Sequence, residues 1–178
     1  LTEGLYGDYR FDDEGTPAQR TVLIENGVLK NYLTDVLSSQ LYGLPLTGNG
    51  RRESYRCVPV PRMSNTYLLP GRDDLDTMLA RTERGLFVKK MGGGEVDPTS
   101  GDFVFYVSEA YLIEKGKLGA PVRGAILTGN GPEARRHISP PGNNLAMDPG
   151  MFGQPGQSVP RPHGQPPIAT AGPPVGGT

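Results

Sequence analysis

The sequence has no tryptophan, and aromatic residues make up only 7% of its 178 positions. A core in this chain is therefore built mainly from Leu, Val and Ile. There is one cysteine, Cys57. A single thiol excludes an internal disulfide framework, and it excludes any zinc site that needs two thiolates from this chain. No apolar run approaches the ~18 residues of a membrane-spanning helix, and no signal-peptide pattern opens the sequence. Neither sign of charge dominates: 18 Lys and Arg stand against 19 Asp and Glu, for a formal net charge of -1. That balance argues against strong generic attraction to nucleic acid or an anionic membrane. The first residue is Leu1, not Met, which leaves open a fragment, an isolated domain or a processed product.

Glycine and proline, by contrast, are abundant. The 26 glycines and 18 prolines are roughly a quarter of the chain, about twice ordinary usage. Such a chain is turn-rich and β-rich, because these residues punctuate elements rather than fill them. They concentrate after Ser139, where the last 40 residues hold 10 Pro and 8 Gly. Residues 1–138 read as the folded β-rich body. Residues 139–160 read as an extended segment wrapping it, and 161–178 as a disordered Pro/Gly-rich tail.

Within the body, Asn26-Gly27 lies between Arg20–Glu25 and Val28–Leu33, and Asn-Gly supplies the two left-handed residues of a tight hairpin turn. A second hairpin is expected from Phe103–Glu114 through Lys115-Gly116-Lys117 to Val122–Leu127. Thr34 or Asp35 caps a short helix that runs through Leu41 and ends at Gly43. Asp73 or Asp74 caps another, with Leu75, Met78, Leu79 and Thr82 on one face and Gly85 as its stop. Pro132–Arg136 reads as one further helical turn. Leu23–Leu29 resembles Leu112–Leu118, and Leu46-Thr-Gly-Asn-Gly50 is identical to Leu127–Gly131. Duplication of a β unit and chance among common turn residues both account for this. The fold expected is α+β and mainly antiparallel, with closure into a β-barrel as one arrangement, a few short helices, and the extended C-terminal tail.

Chemistry-bearing residues are sparse. His137 and His163 form no ligand-spaced pair, and each reads as a solvated histidine. Cys57 reads as a small buried hydrophobe, with activation by Arg56 as the lesser alternative. Asp12-Asp13-Glu14 precedes Gly-Thr-Pro and suits an exposed turn, with weak metal binding as the other reading. Gly92-Gly93-Gly94 lacks the Lys and Ser/Thr of a phosphate loop. It reads as a flexible loop, or as a place where a peptide approaches the backbone. Pro59–Tyr67 clusters Arg62, Asn65 and Thr66 behind two stiffening prolines. That is the composition of a substrate-lining loop, and equally of a structural one.

Several stretches, taken in order, resemble the C-terminal region of the TldD/PmbA family of metallopeptidases. They include Asp12–Leu29, Thr47–Arg52, Pro61–Tyr67, Gly92–Phe105, Ser108–Glu114, Leu127–Glu133, Asn143–Gly150 and Gly156–Pro160. Arg62-Met-Ser-Asn-Thr66 and Gly92-Gly-Gly-Glu-Val-Asp-Pro98 are similar to the TldD branch. The resemblance implies a cytoplasmic hydrolase that cleaves unfolded peptides as a heterodimer with a silent PmbA (TldE) partner. It also implies an N-terminal half whose His-Glu-x-x-x-His helix binds zinc, with a C-terminal cysteine as third ligand. This sequence has no His-Glu-x-x-x-His, and Phe152 stands nearest the expected cysteine position. Zinc is thus a family trait, and no metal is expected on this chain alone.

Two functions follow. One is the C-terminal domain of a TldD-like zinc metallopeptidase, shaping the active-site wall and substrate surface. The other is a non-catalytic peptide-binding or assembly subunit like the silent partner. Either uses Arg62, Asn65 and Thr66 with Gly92, Gly93 and Gly94 as the substrate surface. The glycines then accept an extended peptide as an added strand, while Arg62 holds a carboxylate or carbonyl and Asn65 and Thr66 orient amides.

Overall fold

The structure, a computed structural model, describes residues 4–154, 156–171 and 175–176. In chain order the elements are β1 (Ile24–Glu25), β2 (Val28–Leu29), α1 (Val36–Tyr42), β3 (Gly50–Arg51), β4 (Val60–Pro61), β5 (Thr66–Tyr67) and α2 (Leu75–Ala80). There follow β6 (Arg84–Val96), β7 (Asp102–Glu114), β8 (Lys117–Val122), β9 (Ile126–Asn130), α3 (Gly131–Arg136), β10 (Ala146–Gln154), β11 (Gln157–Gln165) and β12 (Val175–Gly176). They fall into two compact units, Leu1–Leu68 with Ala146–Gln165, and Leu69–Leu145 with Pro166–Thr178.

The interior of the first unit is largely polar. Asp12 is buried, and its Oδ1 accepts the N–H groups of Glu14 (3.0 Å) and Thr16 (2.8 Å). Its Oδ2 accepts the Gly50 N–H at 2.9 Å, while the Gly50 carbonyl accepts the Asp13 N–H at 2.9 Å. Asp13 Oδ2 accepts the Arg52 N–H, and Glu14 Oε2 accepts the Val36 N–H at the start of α1. The acidic run is therefore a clamp for backbone donors. Asp35 caps α1 in a reciprocal box with Ser38, and Gly43 ends the helix in the left-handed region. Thr34 and Thr47 exchange backbone-to-hydroxyl bonds at 2.8 and 3.1 Å, and the Thr34 hydroxyl also donates to the Pro45 carbonyl. Asp12, Thr34, Asp35 and Thr47 are tolerated in this interior because each is hydrogen-bonded there.

The second unit is organised by β7, a strand of 13 residues. One edge pairs with β6 along its length. The other pairs with β9 through Asp102–Tyr106 and with β8 through Ala110–Glu114. Val107, Ala110 and Ala125 form its apolar centre, with Leu86, Val88, Val122 and Leu127 packed on them.

Two fold expectations need correction. The strands are mainly antiparallel, but among the described residues they form four separate sheets, none closed into a barrel. In the largest, β7 already has partners on both edges, and the order runs from β12 to an open β6. Nor is there an extended Pro/Gly-rich tail: Ala146–Gln165 is a hairpin of β10 and β11. Proline is tolerated there by register. Pro149 faces Pro162 and Met151 faces Pro160, two steps along. Neither proline of the first pair has an N–H to give, so that pair is a non-hydrogen-bonded one, and the second shares its parity. Pairing of β11 with β5 begins at His163, past the last proline. Val159 and Pro162 are buried. Residues 172–174 and 177–178 of the expected tail lie outside the described residues.

Smaller differences are local. α2 stops at Ala80, because Arg84 and Gly85 belong to β6. Gly92–Gly94 is strand, not loop.

Replacing Asp12 with Asn leaves one acceptor but turns an NH₂ toward the N–H group on the other side. We expect D12N to lose about 2 kcal/mol in urea unfolding, while the exposed-site control Glu25→Gln stays within about 0.5 kcal/mol of wild type.

Candidate functional site

The sequence-selected residues lie in both units. In the second, Gly92, Gly93 and Gly94 sit in β6, at the edge of the five-stranded sheet. Its outer side has no paired strand among the described residues. Residues 89–96 are all exposed. Register shifts between Val88 and Gly93 bulge the strand there, which twists an edge and aims it outward. Gly93 has φ of 136°, a region that L side chains rarely adopt. A Cβ on Gly94 would overlap the Val104 carbonyl oxygen and the Phe105 ring. Glycine is thus required for the backbone to follow this path.

The β6–β7 turn is held by Asp97, whose Oδ1 accepts the Thr99 N–H at 2.7 Å and the Ser100 N–H at 3.4 Å. The Thr99 bond chiefly, then the Ser100 bond, holds its carboxyl below the ordinary value near 3.8. Near the middle of the hairpin, Lys89 Nζ and the Tyr111 hydroxyl both donate to Glu109 Oε1 at 2.8 Å.

In the first unit, Arg62 follows β4 and is only 5% exposed. Its N–H donates to the Asn49 carbonyl at 2.8 Å, its carbonyl accepts Asn49 Nδ2 at 2.9 Å, and its Nη2 donates to the Gln157 carbonyl at 3.1 Å. Asn65 is half-buried, and a Cβ on Gly7 would strike its Oδ1. Thr66 is half-buried in β5 opposite His163.

Sequence reading missed two further arginines beside Arg62. Arg51 Nη1 donates to the Met63 carbonyl at 2.7 Å and Nη2 to the Pro160 carbonyl at 3.3 Å. Its guanidinium lies 5.3 Å from the centre of the Tyr9 ring. Arg161, on β11, contacts Met63 Sδ. Burial first, and then repulsion from Arg51 and Arg62, lower the Arg161 pKa to about 10. Burial also lowers that of Arg51, with the Tyr9 and Asp13 interactions opposing. Arg161 thus remains cationic at neutral pH. The signal available was Arg51 in Gly50-Arg-Arg52; Arg161 was hidden in a segment read as tail.

A cavity of about 320 Å³ lies in the same unit, lined by Tyr6, Pro149, Gly150, Met151 and Pro160. It adjoins the chain position of Phe152. The donor set here does not fit zinc. Among the described residues no three His, Cys, Asp or Glu side chains converge. His163 is exposed opposite Asp148, His137 ends α3, and half-buried Cys57 lies 3.7 Å from the Ser54 hydroxyl.

Comparison with known proteins identifies what this architecture belongs to. The family profile described as "PmbA/TldA metallopeptidase C-terminal domain" matches residues 1–175. A metalloprotease TldD homolog of Buchnera aphidicola is 48% identical over 174 residues, 97% of this chain and 36% of that protein. The Haemophilus influenzae homolog is 47% identical over 178 residues, 99% of this chain and 37% of its own length. The crystal structure of TldE from Thermococcus kodakarensis matches with a TM-score of 0.81 at 25% identity, over 95% of this chain and 36% of that one. The chain thus spans little more than a third of each.

Gly94→Ala should destabilise the β6–β7 hairpin by about 1–3 kcal/mol, whereas Gly153→Ala, with open space around it, should be near neutral; thermal melts of the two variants compare them. Because the Asp97 carboxyl is depressed, its support is complete above the ordinary value near 3.8 and is lost as pH falls through the lower native value. The Thr99 and Ser100 amide resonances should therefore titrate together only below that ordinary value, and Asp97→Asn should abolish the step.

Proposed function

Since the chain belongs to the PmbA/TldD metallopeptidase family as its C-terminal domain, we propose that it is a non-catalytic peptide-binding and assembly domain, working beside a polypeptide that carries the zinc chemistry. The observation that carries this reading is the exposed outer edge of β6 at Gly92–Gly94. An unpaired edge offers alternating N–H and C=O groups, so an extended peptide adds to it as a strand through main-chain bonds. Such bonding is indifferent to side chains and suits unfolded substrates of varied sequence. Lys89, Lys90 and the bulges guard the edge against indiscriminate pairing. Arg51 and Arg62 are buried and bonded to this chain's own carbonyls, so with Arg161 they draw a peptide carboxylate toward the half-buried Asn65 and Thr66 through their field rather than by contact.

The family's zinc has no place in this chain's own chemistry, since neither His-Glu-x-x-x-His nor the C-terminal cysteine occurs in the sequence. This chain's residues bind and orient; hydrolysis belongs to the partner, in the cytoplasm. The second reading, the substrate wall of a TldD-like metallopeptidase, is favoured by the 47–48% identity to proteins named as TldD homologs. It assigns the same residues the same task.

The test is an NMR titration of the chain with an unstructured peptide. Shift changes should concentrate at residues 92–94 and 62–66, with weak affinity. Changes confined elsewhere would make both segments structural. Elemental analysis should find no stoichiometric zinc, and metal lost on replacing His137 or Cys57 would contradict the reading.

A further inference from the structure

The two similar stretches, Leu23–Leu29 and Leu112–Leu118, fold alike and meet different surroundings. Each turns on two left-handed residues, Asn26-Gly27 and Lys115-Gly116. Each has the same register: Ile24 faces Leu29 and Glu25 faces Val28, as Ile113 faces Leu118 and Glu114 faces Lys117. In the second copy a third strand completes the set. β6 lies along the outer edge with Gly85 opposite Ile113, and Ile113 is 7% exposed. The first copy is a two-stranded sheet among the described residues, and Ile24 is 47% exposed.

A two-residue hairpin exchanges both bonds at its closing pair, here Glu25 and Val28, and Lys30 N–H donates to the Leu23 carbonyl two steps back. Between these pairs, the N–H and C=O of Ile24 point to the outer edge. A bare two-stranded hairpin is marginal in water and gains stability from a third strand.

The helix that follows repeats the pattern of uncovered apolar surface. Leu37 and Leu41, one turn apart on α1, are 70% and 68% exposed, Tyr42 is 70% exposed, and α1 buries none of its residues. The charges nearby are already engaged: Lys30 lies 3.9 Å from Glu25, and Asp35 caps α1. The surface is therefore apolar in character rather than a charge-matched one. The relatives carry nearly two thirds of their length outside the matched region, which is described as C-terminal, so that surplus lies on their N-terminal side.

We propose that β1–β2 and α1 dock the N-terminal portion found in the longer relatives, and that an extended apolar segment of that portion lies along Ile24 as β6 lies along Ile113. The inference is independent of peptide binding at β6. The experiment co-expresses the untagged chain with the tagged N-terminal portion of the Haemophilus influenzae homolog. The wild-type chain should co-purify with it equally at low and high salt. Ile24→Asp, and separately Leu37→Asp with Leu41→Asp, should cut recovery about tenfold or more, with circular dichroism and melting of each variant chain unchanged. Hydrogen exchange on the wild-type pair should protect the Ile24 amide, which exchanges freely in the chain alone. Failure of the wild-type chain to co-purify, recovery of the variants at wild-type level, or an unprotected Ile24 amide would each overturn the proposal. So would a homodimer of the chain dissolved by the same substitutions, which would give the surface to a second copy.

Discussion

A single buried carboxylate sets the geometry of the first unit. Asp12 collects three backbone N–H groups, and the last of them, from Gly50, ties the N-terminal loop to β3. Once Gly50 is fixed, Arg51 reaches Met63 and Pro160, and Arg62 is held against Asn49. Glu14 carries the same stitching to the start of α1. Among the described residues, Val159 alone stands out as a buried aliphatic side chain in this unit. Directional bonds take over the work that apolar burial does elsewhere, and they demand atoms at defined positions rather than merely enough volume.

The second unit rests on a different constraint. β7 is shared by β6, β8 and β9, so its two halves serve two ladders at once. The apolar centre sits where those ladders change over, at Val107 to Ala110, and Ala125 reaches it from the link between β8 and β9. That leaves the hairpin tip beyond Lys90 outside the core, carried by strand pairing and the Asp97 turn. The edge proposed for peptide pairing is the part of the sheet least burdened by packing.

Local signals were legible in the sequence. The Asn26-Gly27 turn, the Asp35 cap, Gly43 and the Pro132 helical turn follow from residue chemistry within a few positions. Long-range partners were not legible. β6 was missed because four glycines and two lysines give it poor strand propensity, which pairing with β7 overrides. The β10–β11 hairpin was missed because composition reports how many prolines a segment has and not the parity at which they stand. The candidate site was half visible. Arg62, Asn65, Thr66 and the glycines could be chosen from their types, but the Arg51 and Arg161 neighbours depend on β3, β4 and β11 meeting, a fact of tertiary structure.

The proline arrangement of β10 and β11 bears on how this hairpin can change over time. Pro149, Pro160 and Pro162 all stand where the partner asks for no donor. Substitutions at these pairs leave that arrangement intact. Loss or gain of a single residue between Pro149 and Pro160 would shift one strand against the other, placing prolines opposite carbonyls that expect an N–H. Insertions there would have to come in twos. A length rule of this kind lets side chains diverge while the frame of the hairpin stays fixed.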